Sequence, residues 1–135
     1  MTQDYPEITN LMQTYFDGLY NSDTSRLEQV FHPDAIYACA SDGELLHLTM
    51  ADYFPIVDKR PSPASTGEPR RDEIVSIEFA GPVTALVRAH CAIGPKYFTD
   101  LLTLIKLDGR WQIISKVFHF RPHCHRLGEF TQCLT

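Results

Sequence analysis

The sequence predicts an α+β domain, helices first and a sheet afterwards, on three observations. A helical apolar period runs from Ile8 to Tyr20. Four β-branched and aromatic runs fill the second half, and Gly-Pro or Asp-Gly pairs punctuate them as tight turns. The chain has 135 residues, 44% hydrophobic and 21% charged, which suits one folded domain and excludes a disordered or collagen-like chain.

Taken in order, Ile8, Leu11, Met12, Tyr15, Phe16, Leu19 and Tyr20 form one face of a long helix. Asp4 and Glu7 stand as a capping box would, and Pro6 suits the first turn. Asn21-Ser22-Asp23 ends this helix and caps a second, short one, whose apolar face is Leu27, Val30 and Phe31; His32-Pro33 stops it. Residues 35–39 and 45–49 flank Ser41-Asp42-Gly43, a hairpin turn. A third helix spans 52–59. With Asp52 as its N-cap, Pro55 falls at the third helical position, whose N–H has no intrahelical partner. Residues 60–69 form a polar loop stiffened by prolines. Runs 72–80, 83–93, 96–107 and 110–120 make an antiparallel meander. Residues 1–120 thus form a single domain, and 121–135 a C-terminal tail.

Partners are bounded by charge and hydropathy. A formal net charge of −5 opposes generic phosphate-backbone binding, so no nucleic acid is expected. The N-terminus lacks the basic start and apolar run of a signal peptide. The most apolar stretches are interrupted by Arg88, His90, Asp100 and Lys106, so no membrane span is expected either. Four scattered cysteines, Cys39, Cys91, Cys124 and Cys133, read as reduced thiols of a cytoplasmic protein. There is no Gly-rich phosphate loop, nucleophile elbow or His-Glu-x-x-His motif, and no cofactor is expected.

The turns place residues together. A two-residue Asp108-Gly109 turn pairs residues whose numbers sum to 217. One face then carries Phe98, Asp100, Leu102 and Leu104 beside Trp111, Ile113, Ser115, Val117 and His119. Asp100 lies opposite Val117 and diagonal to His119. A two-residue Gly94-Pro95 turn sets Phe98 against Cys91 and Asp100 against Ala89, sending Arg88 and His90 to the outer face with Lys116. A slip of one residue would reverse every assignment on the affected strand.

Aromatic and aliphatic bulk around one carboxylate and one imidazole has the composition of a ligand pocket. Asp100 and His119 are the candidate catalytic pair if the protein is an enzyme. Asp100 equally suits a hydrogen bond to a ligand's amide or amine, or a structural bond to a helix or loop N–H. Tyr15, Tyr37, Tyr53 and Phe98 are candidate ligand-binding walls, as core or as lining, and Cys39 and Cys91 join them as small buried apolar groups. In the tail, His119, His123, Cys124, His125 and Cys133 could ligate a metal, but their spacing matches no strong zinc pattern and no metal is expected.

Residues Thr14 to Asp23, followed by Phe31-His32-Pro33-Asp34-Ala35, resemble the opening of the NTF2-like (SnoaL-like) superfamily. Phe98 to Leu104, Lys106 to Ile113 and Lys116-Val117-Phe118-His119 are similar to its branch named "putative lumazine-binding", as is Arg60-Pro61-Ser62-Pro63-Ala64 with Gly67-Glu68-Pro69. The resemblance implies a cone: a curved mixed or antiparallel sheet wrapped around the long N-terminal helix, with two shorter helices and a homodimer through the outer sheet face. Tyr15 matches by position the oxyanion-binding tyrosine of ketosteroid isomerases. The base carboxylate of that pattern, due near Cys39, is missing, which argues against steroid isomerisation.

Three functions follow as expectations. The first is a small-molecule binder whose pocket, between the first helix and the sheet, takes a lumazine-like or other small aromatic or polar compound. The second is a cofactor-independent lyase, dehydratase or isomerase moving a proton through Asp100 and His119. The third is a dimerisation or scaffold module with a filled cavity.

Overall fold

The computed structural model describes residues 3–122. Helices α1 (Asp4–Asn21) and α2 (Thr24–Val30) lead into a hairpin of β1 (Phe31–Cys39) and β2 (Leu46–Thr49). Helix α3 (Met50–Lys59) follows, then β3 (Asp72–Phe79), β4 (Thr84–Ile93), β5 (Lys96–Leu107) and β6 (Arg110–Pro122). The sheet order is β2-β1-β6-β5-β4-β3, antiparallel except where β1 runs parallel to β6. This is the α+β cone with one long and two short helices. Among the described residues no helix is long and apolar enough to cross a membrane.

Helix α1 buries Ile8, Met12, Tyr15, Phe16 and Leu19, the face its period predicts. Its start differs from the expected capping box. Gln3 is the N-cap and makes no side-chain cap bond, while Asp4 is buried inside the helix. Asp4 accepts hydrogen bonds from Lys106 Nζ at 2.8 Å and Trp111 Nε1 at 3.1 Å, which ties α1 to the β5–β6 hairpin. An ammonium and a buried indole N–H need that carboxylate more than a helix N–H open to water does. At the other end Gly18 lets α2 approach: a Cβ there would sit 2.7 Å from Leu27 Cδ2. Asp23 caps α2 by accepting from Ser25 N–H at 3.0 Å.

Helix α3 begins earlier than expected. Thr49 is its N-cap and Asp52 completes the capping box from inside the helix. Pro55 therefore lies in the second turn rather than at the third position, and the Ala51 carbonyl loses its helical donor. Ala51 and Pro55 are both exposed, so water can replace that bond. Pro61 forces Arg60 into an extended conformation (φ −85°, ψ 145°), which ends the helix.

The Gly94-Pro95 hairpin pairs Cys91 with Phe98 and Ala89 with Asp100, as the turn predicts. The Asp108-Gly109 hairpin follows its predicted register only from Leu107↔Arg110 to Leu104↔Ile113. There β6 carries an extra residue, Ile114, and the pairing continues as Thr103↔Ser115 and Asp100↔Phe118. Every side chain beyond this bulge faces the opposite way from the prediction. Lys116 and Phe118 are buried, whereas Val117 and His119 are exposed. Asp100 and His119 therefore do not share a face, and Lys116 leaves the outer group of Arg88 and His90. The physical reason is parity: Trp111 and Ile113 and the aromatic Phe118 can all point inward only if one residue is inserted between them. Strand β6 also extends two residues into the expected tail; the rest of that tail, with His123, Cys124, His125 and Cys133, lies outside the described residues.

Candidate functional site

The interior of the cone holds an acid, a phenol and an ammonium group. Asp100, on β5, is fully buried, and its Oδ2 accepts a 2.6 Å hydrogen bond from the Tyr15 hydroxyl of α1. Its other oxygen, Oδ1, is buried without a hydrogen-bond partner among the described residues. Lys116, on β6, is 4% exposed. Its Nζ is caged by four rings, 5.2 Å from the centroid of Tyr15, 5.5 Å from Tyr37, 5.5 Å from Tyr53 and 5.3 Å from Phe118. Ring faces attract a cation most strongly where water is excluded.

The charges here hold one another in place. Burial alone would lower the Lys116 pKa; the negative charge of Asp100, with the phenols of Tyr53 and Tyr37, outweighs it and holds the ammonium above its usual value. Burial and the Asp100 charge push the Tyr15 hydroxyl well above the ordinary phenol range. Tyr37 is raised by burial to about 12, against the opposing pull of Lys116. Cys91, buried on β4 and paired with Phe98 of β5, has its thiol pushed up by burial and by Asp100. It stays protonated and is no nucleophile. At neutral pH the site presents an ammonium and neutral hydroxyl and thiol groups around Asp100.

Above this floor a cavity of about 570 Å³ opens at the mouth of the cone. Tyr37, Phe98, Phe118 and Phe120 form its aromatic wall, with Ile56 and Arg60 of α3 and its cap on the facing side. Tyr37 and Phe118 are the shared partition, because both line the cavity and both touch the Lys116 cage. The partition is tightly packed: Tyr37 lies 4.4 Å from Tyr53, stacked, and 4.7 Å from Phe118, centroid to centroid. The cavity at the mouth lies away from α1, because Ile8, Met12, Tyr15 and Phe16 are packed as core; between α1 and the sheet, where a pocket was expected, Glu7, Leu11 and Thr14 line a separate cavity of about 350 Å³ with Trp111.

The structure thus brings together Asp100, Tyr15, Tyr53, Cys91, Tyr37 and Phe98, the last two in the cavity wall. It separates two of the sequence candidates. His119 is exposed on the outer side, with Nδ1 2.6 Å from Ser41 Oγ. Cys39 is buried at the end of β1, where its Sγ donates to Ser41 Oγ at 3.3 Å, and it does not line the cavity. Sequence reasoning missed Lys116 and Arg60. The signal for Lys116 was the parity conflict between Trp111 and Phe118; nothing local marked Arg60 in a polar, proline-rich loop. Among the described residues no group of three or more His, Cys, Asp or Glu could hold a metal ion.

Residues 3–119 match the family described as "Putative lumazine-binding". Among curated proteins the chain is similar to the aldolase FrzH of Cladobotryum sp., 28% identical over 123 residues, covering 90% of this chain and 94% of that one. Among solved structures it is similar to an NTF2-like protein of unknown function from Shewanella baltica OS155. The TM-score is 0.81 at 24% identity, over 90% of this chain and 97% of the other. A second NTF2-like protein of unknown function, from Silicibacter pomeroyi DSS-3, matches with a TM-score of 0.79 at 23% identity, over 89% and 98% of the two chains. These structural likenesses speak for the fold alone.

Proposed function

Since the chain belongs to the "Putative lumazine-binding" family of the NTF2-like superfamily, we propose that it binds a small aromatic or carbonyl-bearing molecule in the cavity at the mouth of the cone. One observation carries this reading: a cavity of about 570 Å³ walled by Tyr37, Phe98, Phe118 and Phe120. Rings on one side and a few polar groups are what a site for a flat, partly polar ligand needs. A thermal-shift and native mass-spectrometry screen with pterins, flavin precursors and small aromatic acids tests it. Stabilisation by one of these classes, lost in Phe118→Ala, supports the reading; no binding by any class defeats it.

A second reading has its own support in Asp100 Oδ1, a buried carboxylate oxygen with no hydrogen-bond partner among the described residues, and in the similarity to an aldolase. In it, Asp100 takes a proton from the carbon next to a carbonyl group, and the Lys116 ammonium stabilises the enolate. The enolate carbon then attacks a second carbonyl carbon, forming one C–C bond, and the proton returns to the new alkoxide. Lys116 remains protonated throughout, so this route forms no imine on it. Tyr37 and Phe118 must part for the substrate to reach Asp100, which is fully buried. Solvent deuterium incorporation next to the carbonyl of a bound ketone, followed by NMR, is the test. Loss of exchange in Asp100→Asn with binding retained supports proton transfer; unchanged exchange refutes it.

The same proposal pairs two copies of the chain through the outer sheet face. Ile36, Leu86, Leu101 and Val117 are exposed there on neighbouring strands, an apolar face that a second copy would cover.

A further inference from the structure

The cavity wall contains a guanidinium group, that of Arg60. Arg60 lines the cavity, yet its Nε and Nη2 are shielded from solvent and have no hydrogen-bond partner among the described residues. These two nitrogens form one edge of the guanidinium plane. That edge donates two parallel N–H bonds to a pair of coplanar oxygens.

The neighbouring carboxylates do not fill the role. Glu68 lines the same cavity, but its Oε1 accepts from Gly94 N–H at 2.8 Å and its Oε2 from Thr66 Oγ1 at 2.8 Å. Asp42, also in the lining, is exposed and makes no ion pair with Arg60. The other cation of the lining, Lys96, rests with its Nζ 4.3 Å from the centre of the Phe120 ring. Arg60 itself is held by the backbone: its N–H donates to the Ile56 carbonyl at 3.2 Å, and Pro61 fixes it as extended. A shielded, unpaired guanidinium edge is costly to maintain unless something arrives to satisfy it.

We propose that Arg60 is the anion-recognising residue of the cavity and that the ligand is an aromatic carboxylate, its ring against Tyr37, Phe98 and Phe118 and its two oxygens on Nε and Nη2, the shielded edge turning into the cavity as the ligand enters. This inference rests on the cavity reading above and adds the ligand's charge to it.

A matched pair of probes separates the two. Binding of 2-naphthoate and of the neutral 2-naphthamide to the full chain is measured by isothermal titration calorimetry. The same titrations are run on Arg60→Gln and Arg60→Lys. The acid binds at least tenfold tighter than the amide in the unmodified protein. Arg60→Gln removes that preference while leaving amide affinity within about twofold, which also shows the cavity to be intact. Arg60→Lys keeps the charge without the fork and retains only part of the preference. Equal binding of acid and amide overturns the Arg60 assignment and leaves the cavity reading standing, as does a preference that survives Arg60→Gln. Binding of neither probe overturns the aromatic-carboxylate assignment, and the cavity reading then stands or falls on the pterin, flavin-precursor and aromatic-acid screen.

Discussion

The Tyr15 hydroxyl donates a 2.6 Å hydrogen bond to the Asp100 carboxylate across 85 residues of sequence, fastening α1 to the middle of the sheet. Both groups are fully buried, so the bond has no water to replace it. Tyr15→Phe leaves both oxygens of Asp100 without a donor among the described residues and lowers stability by about 1.5–3 kcal/mol, the range for a hydrogen bond to a charged group. Urea unfolding measures it. A loss below about 0.5 kcal/mol would mean that the bond contributes nothing net.

Lys116 and Asp100 are coupled, and a double-mutant cycle reads the coupling. Lys116→Met leaves the Asp100 carboxylate buried without a cation and destabilises the fold by about 3 kcal/mol. Asp100→Asn combined with Lys116→Met removes both charges and is less destabilised than the sum of the single changes by at least about 1 kcal/mol. Additive effects would show that the two groups do not sense each other.

Alkaline pH strips stability from this interior. Tyr37 has its pKa raised by burial from 10.0 to about 12, and burial with the Asp100 charge raises that of Tyr15 as well. The folded state therefore holds protons that the unfolded chain releases above pH 10. The contribution of these phenols is complete below pH 10 and is lost as pH rises toward 12, by roughly 1–3 kcal/mol for Tyr37. Tyrosinate absorbance from the buried rings should appear together with unfolding, not before it. Ionisation of Tyr15 and Tyr37 in the intact fold at pH 11 contradicts the prediction.

Gly18 is required by packing, not by backbone conformation. Gly18→Ala puts a methyl group 2.7 Å from Leu27 Cδ2, and Leu27 is fully buried with little room to retreat. The expected cost is about 1–3 kcal/mol, despite alanine's better helix propensity. A thermal melt no lower than that of the unmodified protein rules out the close contact.

Leu101 and Val117 are cross-strand neighbours on the exposed sheet face. If a second copy covers them, Leu101→Glu converts a dimer to a monomer in sedimentation velocity and leaves the far-UV circular dichroism unchanged. A monomer before the substitution removes the proposed interface.

Much of this architecture was legible from residue pattern. The Ile8 to Leu19 period gave α1 and its buried face, Asp23 gave the start of α2, and Gly94-Pro95 gave a hairpin whose pairing placed Asp100 beside Ala89. What failed was local competition that a pattern does not rank. Asp4 could cap a helix or receive Trp111, and only the tertiary contact decides. Thr49 and Asp52 could each cap α3, and the reciprocal box favours Thr49. At the site, Asp100 and Tyr15 were found individually, but their direct bond depends on how α1 crosses the sheet. Lys116 was assigned to the wrong side because alternation cannot count a bulge it does not see, and His119 was misplaced by the same residue.

Ile114 therefore works as a parity switch for the lower half of β6. Delete that residue and the strand could close into uninterrupted pairing, with Ser115, Val117 and His119 formally indexed inward and Lys116 turned to the solvent. A single codon lost at this point would turn the caged cation outward and carry Phe118 out of the cavity wall with it.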